Sequence, residues 1–200
     1  MAEAIDFYFD FSSPYGYFAT ARIDEIGRKH GVPVNWRPIL LGAVFKITGA
    51  GPQPTLPLKG DYFIHDVPRS ARLVGLPFRL PAQFPFGTVT ACRAYYFIAQ
   101  TDPEGAVRLA RALYDHAFGK GRDICPVEAV VGVAAELGFD ADKIQSGIQA
   151  HETKELVKAE VDAAIRREVF GSPFFYVGDE PFWGHDRLDQ VDLWLEKGGW

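Results

Sequence analysis

The chain holds 200 residues, 48% of them apolar, at a net charge of −5, which supplies one well-buried core with room for an insertion. With no basic stripe and no run of like charges, nucleic acid is excluded as a partner. Cys92 and Cys125 lie far apart and form no C-x-x-C, which excludes a dithiol redox pair and a zinc site and fits a reduced intracellular protein.

The first residues, MAEAIDFYFD, place acids where a secretory signal needs basic residues, and no apolar run reaches membrane length. A soluble, cytoplasmic chain with no membrane partner is therefore expected. Ile5 to Phe11 alternates and is β-rich, which predicts a buried strand. From Pro14 the spacing turns helical: Tyr15, Phe18, Ala19, Ile23 and Ile26 share one stripe, and the pattern predicts a single helix stopping near Gly31, with Arg28, Lys29 and His30 in its last turn. Ser12-Ser13-Pro14 is thus a strand-to-helix junction. VPVNWRPIL reads as a second strand, and strand-helix-strand favours a parallel pair.

From Gly42 to about Pro85 the chain is rich in Gly and Pro, so loops are expected around one or two helices, with KGDYFIHDVPRSARLVG as a helical piece. Between about Thr88 and Glu168 the patterns are helical throughout, with Asp102 as a cap before Pro103 and a proline start and glycine stop around PVEAVVGVAAELG. Near the end, Phe174 to Val177 reads as a strand, Gly178-Asp179 as a hairpin turn and the region of Phe182 as a short strand. A last helix follows with Leu188, Val191 and Leu195 on one stripe and His185 or Asp186 near its cap. The order is β-α-β, a helical insertion, then β-β-α. This predicts an α/β chain with a thioredoxin-like fold and an inserted all-helical domain. Residues 1–40 and 170–200 form the discontinuous thioredoxin-like part and 41–169 the loop-rich and helical insertion.

Three stretches carry a resemblance. FDFSSPYGYFA near the start, VFGSPFFYVGDEPFWGHDRL near the end and LPLKGDYF between them are similar to the 2-hydroxychromene-2-carboxylate isomerases, within a superfamily that includes kappa-class glutathione transferases and DsbA-like oxidoreductases. Redox members open the first helix with C-x-x-C. Here the four residues are Ser13-Pro14-Tyr15-Gly16, so disulfide exchange at this place is chemically excluded. The resemblance implies glutathione as cofactor, with Ser13 as the residue that meets its thiol. Physical chemistry agrees, because a helix N-terminus favours an anion and a hydroxyl donates to a thiolate. Taken by itself, the tripeptide reads first as a helix cap, and it is the C-terminal motif that turns the reading toward chemistry.

The resemblance also implies a cis peptide at Ser172-Pro173, facing Ser13 and offering backbone groups to the cysteinyl unit of glutathione; without it, a trans proline opening a strand is the ordinary reading. Gly184, His185 and Asp186 are implied to hold the γ-glutamyl end, and Trp183 either walls the site or fills the core. Lys59 is implied to approach the glycyl carboxylate, and Lys46 the carboxylate of a small aromatic substrate. His30, His65, His116 and His151 show no spacing for a metal, so no metal site is expected. The pattern departs from the family at Pro54, Thr55, Phe84 and Ala50, where polar residues are the rule, so the glutathione half is matched better than the substrate half.

The function implied is a glutathione-dependent cis–trans isomerase converting 2-hydroxychromene-2-carboxylate, or a related aromatic enone acid, to its trans-benzylidenepyruvate. The alternatives are a kappa-like glutathione transferase and a non-catalytic thioredoxin-fold binding module. A homodimer is also expected, with the AYYFIA helix and the WLEKGGW terminus as apolar surface for the partner.

Overall fold

The computed structural model describes residues 4–200. At its centre lies a four-stranded sheet built from β1 (Ile5–Phe9), β2 (Val34–Pro38), β3 (Phe174–Val177) and β4 (Glu180–Trp183), in the order β2-β1-β3-β4. β1 runs parallel to β2 and antiparallel to β3, and β3 antiparallel to β4. The register places Phe7 opposite Trp36 on one side and Phe175 on the other.

Alternation along the strands divides their side chains between two faces. Ile5, Phe7, Phe9, Phe175 and Val177 enter the main core; Tyr8, Phe174 and Tyr176 enter a smaller cluster on the opposite face with Ile39, Val44, Ala164 and Val169. Phe7 stacks on both Phe9 and Phe175, with centroids 5.0 and 5.3 Å apart. Such aromatic pairs add about 0.5–1.5 kcal/mol beyond burial, so the aromatic strand that the sequence shows is the centre of the core.

The stripe from Tyr15 to Ile26 does not form one helix. It forms α1 (Pro14–Ala19) and α2 (Ile23–His30). The Thr20 hydroxyl bonds back to the Tyr17 carbonyl at 2.7 Å, a local alternative to helix propagation, and the chain turns before Ile23. α2 then ends as expected at Gly31, in the left-handed conformation (φ 65°).

Between β2 and β3 the regular elements are all helical: α3 (Leu41–Thr48), a 3-10 turn at Gln53–Thr55, α4 (Lys59–Leu73), α5 (Val89–Ala99), α6 (Pro103–Tyr114), a π turn at Asp115–Gly119, α7 (Val127–Glu136), α8 (Ala141–Gln149) and α9 (His151–Arg166). The Asp102 cap is present, its carboxylate accepting from Gly105 N at 2.7 Å. After β4 a 3-10 turn (His185–Arg187) leads into α10 (Leu188–Lys197). The molecule is thus an α/β protein with a thioredoxin-like fold and a large helical complement. Among the described residues, no helix is long and apolar enough to cross a membrane.

The AYYFIA helix is not a partner surface. In α5, Tyr95, Tyr96 and Ile98 are buried, and the two hydroxyls donate to the carbonyls of Trp36 and Pro38 at 2.8 and 2.9 Å. A buried tyrosine needs such a partner, and these two pin the helix to β2. The exposed aromatic surface lies elsewhere, at Tyr62, Phe170, Trp183 and Trp200.

Candidate functional site

The turn after β1 is where the chain invests its polar contacts. Ser13 is the N-cap of α1, its Oγ accepting from Gly16 N at 3.1 Å. The same hydroxyl donates to the Ser172 carbonyl at 2.9 Å, and the Ser172–Pro173 peptide is cis. Cap and contact with the far segment therefore coexist. Ser172 Oγ in turn accepts from Asp10 N at 2.9 Å. The sequence-distant motifs FDFSSP and GSPFF are joined at their serines.

Gly16 stands where the second cysteine of a C-x-x-C would be. A Cβ there would collide with the Tyr114 hydroxyl and press on Ser172 Oγ. That hydroxyl is placed by its donation to the Asp10 carbonyl at 2.9 Å. Close approach, not a turn, is what favours glycine here.

Four backbone N–H groups around this junction have no partner among the described residues: those of Tyr15, Ser172, His185 and Asp186. Tyr15, Ser172 and His185 are half-buried and Asp186 is exposed, so these N–H groups are free to meet a ligand's acceptors. His185 connects the last two to the first. Its imidazole stacks on Tyr15, with centroids 5.1 Å apart and planes at 15°, and meets Phe18 edge-on at 5.5 Å. Burial lowers its pKa against the opposing pull of Asp186 and Asp66, so the ring is neutral at pH 7. The Tyr15 hydroxyl donates to Asp66 on α4 at 2.7 Å, and Asp66 also receives Arg69 and Ser70. Burial and the Asp66 carboxylate both push the Tyr15 phenol up, so it stays a neutral donor.

The remaining expected residues are spread more widely. Lys59 begins α4 and Lys46 lies in the last turn of α3; both are exposed and form no ion pair among the described residues. Trp183 is 53% exposed and lies on the face of the sheet opposite α1, packed edge-on against Phe170 at 5.0 Å. It lines an apolar groove of about 520 Å³ with Ile47, Phe174 and Tyr176. It neither fills the core nor stands beside Ser13. Asp186 makes an ion pair with Arg187 at 3.2 Å and accepts no capping bond, because it lies within the 3-10 turn that precedes α10. Phe84 stacks on Phe63, with centroids 5.8 Å apart, and Pro54 and Thr55 form the short turn before α4.

Sequence reasoning missed Asp10, Thr88, Tyr114 and the Tyr15–Asp66 pair. Asp10 is buried, its carboxylate receiving Ser12 N and Ser12 Oγ at 2.8 Å, Thr88 Oγ1 at 2.9 Å and Leu41 N at 2.6 Å. Burial raises this carboxyl above the ordinary carboxylate value, against the opposing pull of its donors. An acid just past an aromatic-rich strand, two residues before Ser12, was the available signal.

A DSBA-like thioredoxin domain model matches residues 4–196. The 2-hydroxychromene-2-carboxylate isomerase of Pseudomonas putida is 32% identical over 94% of this chain and 92% of its own. Glutathione S-transferase kappa 2 of Caenorhabditis elegans is 26% identical, covering 98% and 92% of the two chains. The solved structure of a 2-hydroxychromene-2-carboxylate isomerase superposes with a TM-score of 0.87 at 28% identity, covering 97% of this chain and 95% of that one.

Proposed function

The chain belongs to the 2-hydroxychromene-2-carboxylate isomerase family of DSBA-like thioredoxin-domain proteins, and from that premise we propose that it is a glutathione-dependent cis–trans isomerase acting on 2-hydroxychromene-2-carboxylate or a related aromatic enone acid. The observation that carries this reading is the serine junction: Ser13 heads α1 in van der Waals reach of the cis Ser172–Pro173 segment, where redox relatives carry a cysteine pair. The open N–H groups fit a tripeptide. Ser172 N–H suits the cysteinyl carbonyl, those of His185 and Asp186 suit the γ-glutamyl carboxylate, and the Asp186 carboxylate suits its ammonium.

Bound glutathione would supply a thiolate that adds reversibly to the carbon β to the ketone, so that the former double bond rotates before the sulfur leaves. The protein's part is to hold and orient. Ser13 donates its hydroxyl proton to the sulfur, and Tyr15 N–H, aimed out of the first turn of α1, adds a second donor. Turning toward the sulfur takes the Ser13 hydroxyl away from the Ser172 carbonyl, which a ligand N–H then satisfies. Tyr15 and His185 form a flat neutral wall, held from behind by Asp66. Lys59 faces the glycyl carboxylate and Lys46 the substrate carboxylate, each as a solvated cation that pays little desolvation on binding. Trp183 acts from the opposite face, through Gly171, whose backbone packs against its indole.

The test is steady-state kinetics on 2-hydroxychromene-2-carboxylate with and without glutathione. The expected result is turnover only with glutathione, no sulfur retained in the product, and a lower kcat/KM for Lys46→Ala. Equal turnover without glutathione overturns the reading. A product that retains sulfur favours the kappa-like transferase reading, which the Caenorhabditis elegans relative supports. Absence of any glutathione binding leaves a binding module. We propose a homodimer, on the strength of the exposed aromatic groups Trp183, Phe170 and Trp200, and a cytoplasmic location, since Cys92 and Cys125 are both free.

A further inference from the structure

Asp10 carries a cost that the chemistry above does not use. The residue is 2% exposed, and among the described residues no lysine, arginine or histidine pairs with it. A buried carboxylate without a cation is expensive unless donors surround it. The donors are divided between its two oxygens. Oδ1 receives Ser12 N, Ser12 Oγ and Thr88 Oγ1; Oδ2 receives Leu41 N, the first N–H of α3. Asparagine or serine could serve one side. Only a carboxylate accepts on both.

We propose that Asp10 is a positioning residue that holds the sulfur-binding turn and helix α3 in one frame, one oxygen gripping the Ser12–Ser13 turn and the start of α5, the other gripping the first turn of α3, on which Lys46 stands. The inference rests on the roles given to Ser13 and Lys46 above. At 1.5 Å per residue, Lys46 lies about 7.5 Å along α3 from Leu41, so a small tilt at Leu41 displaces the lysine from a carboxylate it must meet while the sulfur approaches the β carbon. Misplacement by about 1 Å costs on the order of a hundredfold in rate. The backbone of Asp10 belongs to the same frame, its carbonyl accepting Ser13 N at 2.8 Å and the Tyr114 hydroxyl at 2.9 Å.

Two substitutions cut the bridge from opposite ends. Asp10→Asn keeps the shape but accepts on one side only. Leu41→Pro removes one N–H at the first helical position, where proline is tolerated, after a residue already extended at φ −112°, ψ 101°. Each is expected to lower kcat/KM for the aromatic acid by about tenfold to a hundredfold, with KM for glutathione changed much less. The double variant is expected to be no worse than the poorer single one, since both break one bond. Amide hydrogen exchange at Leu41 is expected to speed up in Asp10→Asn whatever the substrate. Unchanged kinetic constants in a folded Asp10→Asn, including one that melts earlier, overturn the proposal, as do multiplicative losses in the double variant. Should Asp10→Asn fail to fold, Leu41→Pro decides alone. If the wild-type protein shows no glutathione-dependent turnover, the functional reading fails by itself, and unaltered Leu41 exchange in Asp10→Asn is the separate result that sinks the bridge.

Discussion

A single hydroxyl at Ser13 serves three potential partners, and it has one proton to give. With the proton on the Ser172 carbonyl, donation to a thiolate exchanges a neutral hydrogen bond for a charge-assisted one, a net gain of about 1 kcal/mol. Ser13→Ala is therefore expected to raise the thiol pKa of bound glutathione by on the order of one unit, read from thiolate absorbance in the ultraviolet; an unmoved titration would remove Ser13 from the chemistry. Ser12→Ala is expected to shift it less, because the Ser12 hydroxyl is turned inward onto Asp10. Gly16 gives a sharper structural expectation. Adding one methyl forces the Tyr114 hydroxyl away, and overpacking of this kind costs about 1–3 kcal/mol. Urea denaturation of Gly16→Ala should show that loss, and a stability equal to wild type would mean that Tyr114 yields freely.

At the scale of elements, α4 is tied to α1 by the Tyr15–Asp66 bond. Burial alone would raise the Asp66 carboxyl, but its bonds from Tyr15, Arg69 and Ser70 hold it below the ordinary value of 3.8. A carboxyl lowered in the folded state contributes stability that is fully present above its unfolded pKa and is lost as pH falls through the folded one. Wild-type protein should therefore lose stability below about pH 4 partly through this residue. Tyr15→Phe is expected to cost about 1 kcal/mol at neutral pH and to show a shallower acid loss, measured as melting temperature against pH. Parallel curves for the two proteins would show that Tyr15 does not contribute to the depressed pKa. His185 runs in the same direction at higher pH. Its pKa is lowered in the folded state, so the stability of the stack is present above the unfolded value of 6.5 and declines as pH falls below it.

For the whole molecule, the sheet and helices form a continuous apolar core in which Phe7, Phe9 and Trp36 meet Tyr95, Leu109 and Tyr114. The exposed aromatic residues are on other surfaces. Light scattering is expected to give twice the 22.2 kDa chain mass, and Trp200→Ser or Trp183→Ser is expected to weaken that assembly. A monomer at micromolar concentration would refute it.

The sequence by itself determined the architecture. β-rich composition in IDFYF, helical spacing from Thr88 to Glu168 and the Gly178-Asp179 turn are local patterns, legible because apolar periodicity marks the helices and a glycine at positive φ marks the turn. The absence of cysteine at positions 13 and 16 is likewise a covalent fact. Tertiary structure decided what local patterns do not encode. Residues 14–30 form two helices, and at the break between them the Thr20 carbonyl accepts from Arg111 of α6. The AYYFIA helix looks the same in sequence whether its tyrosines face a partner or the carbonyls of β2. Trp183 could wall the site only from the face of the sheet on which its strand register placed it. Asp10 shows the principle most fully, because a buried carboxylate is tolerable only when donors arrive together, and its donors come from residues 12, 41 and 88, which only the fold brings to one point.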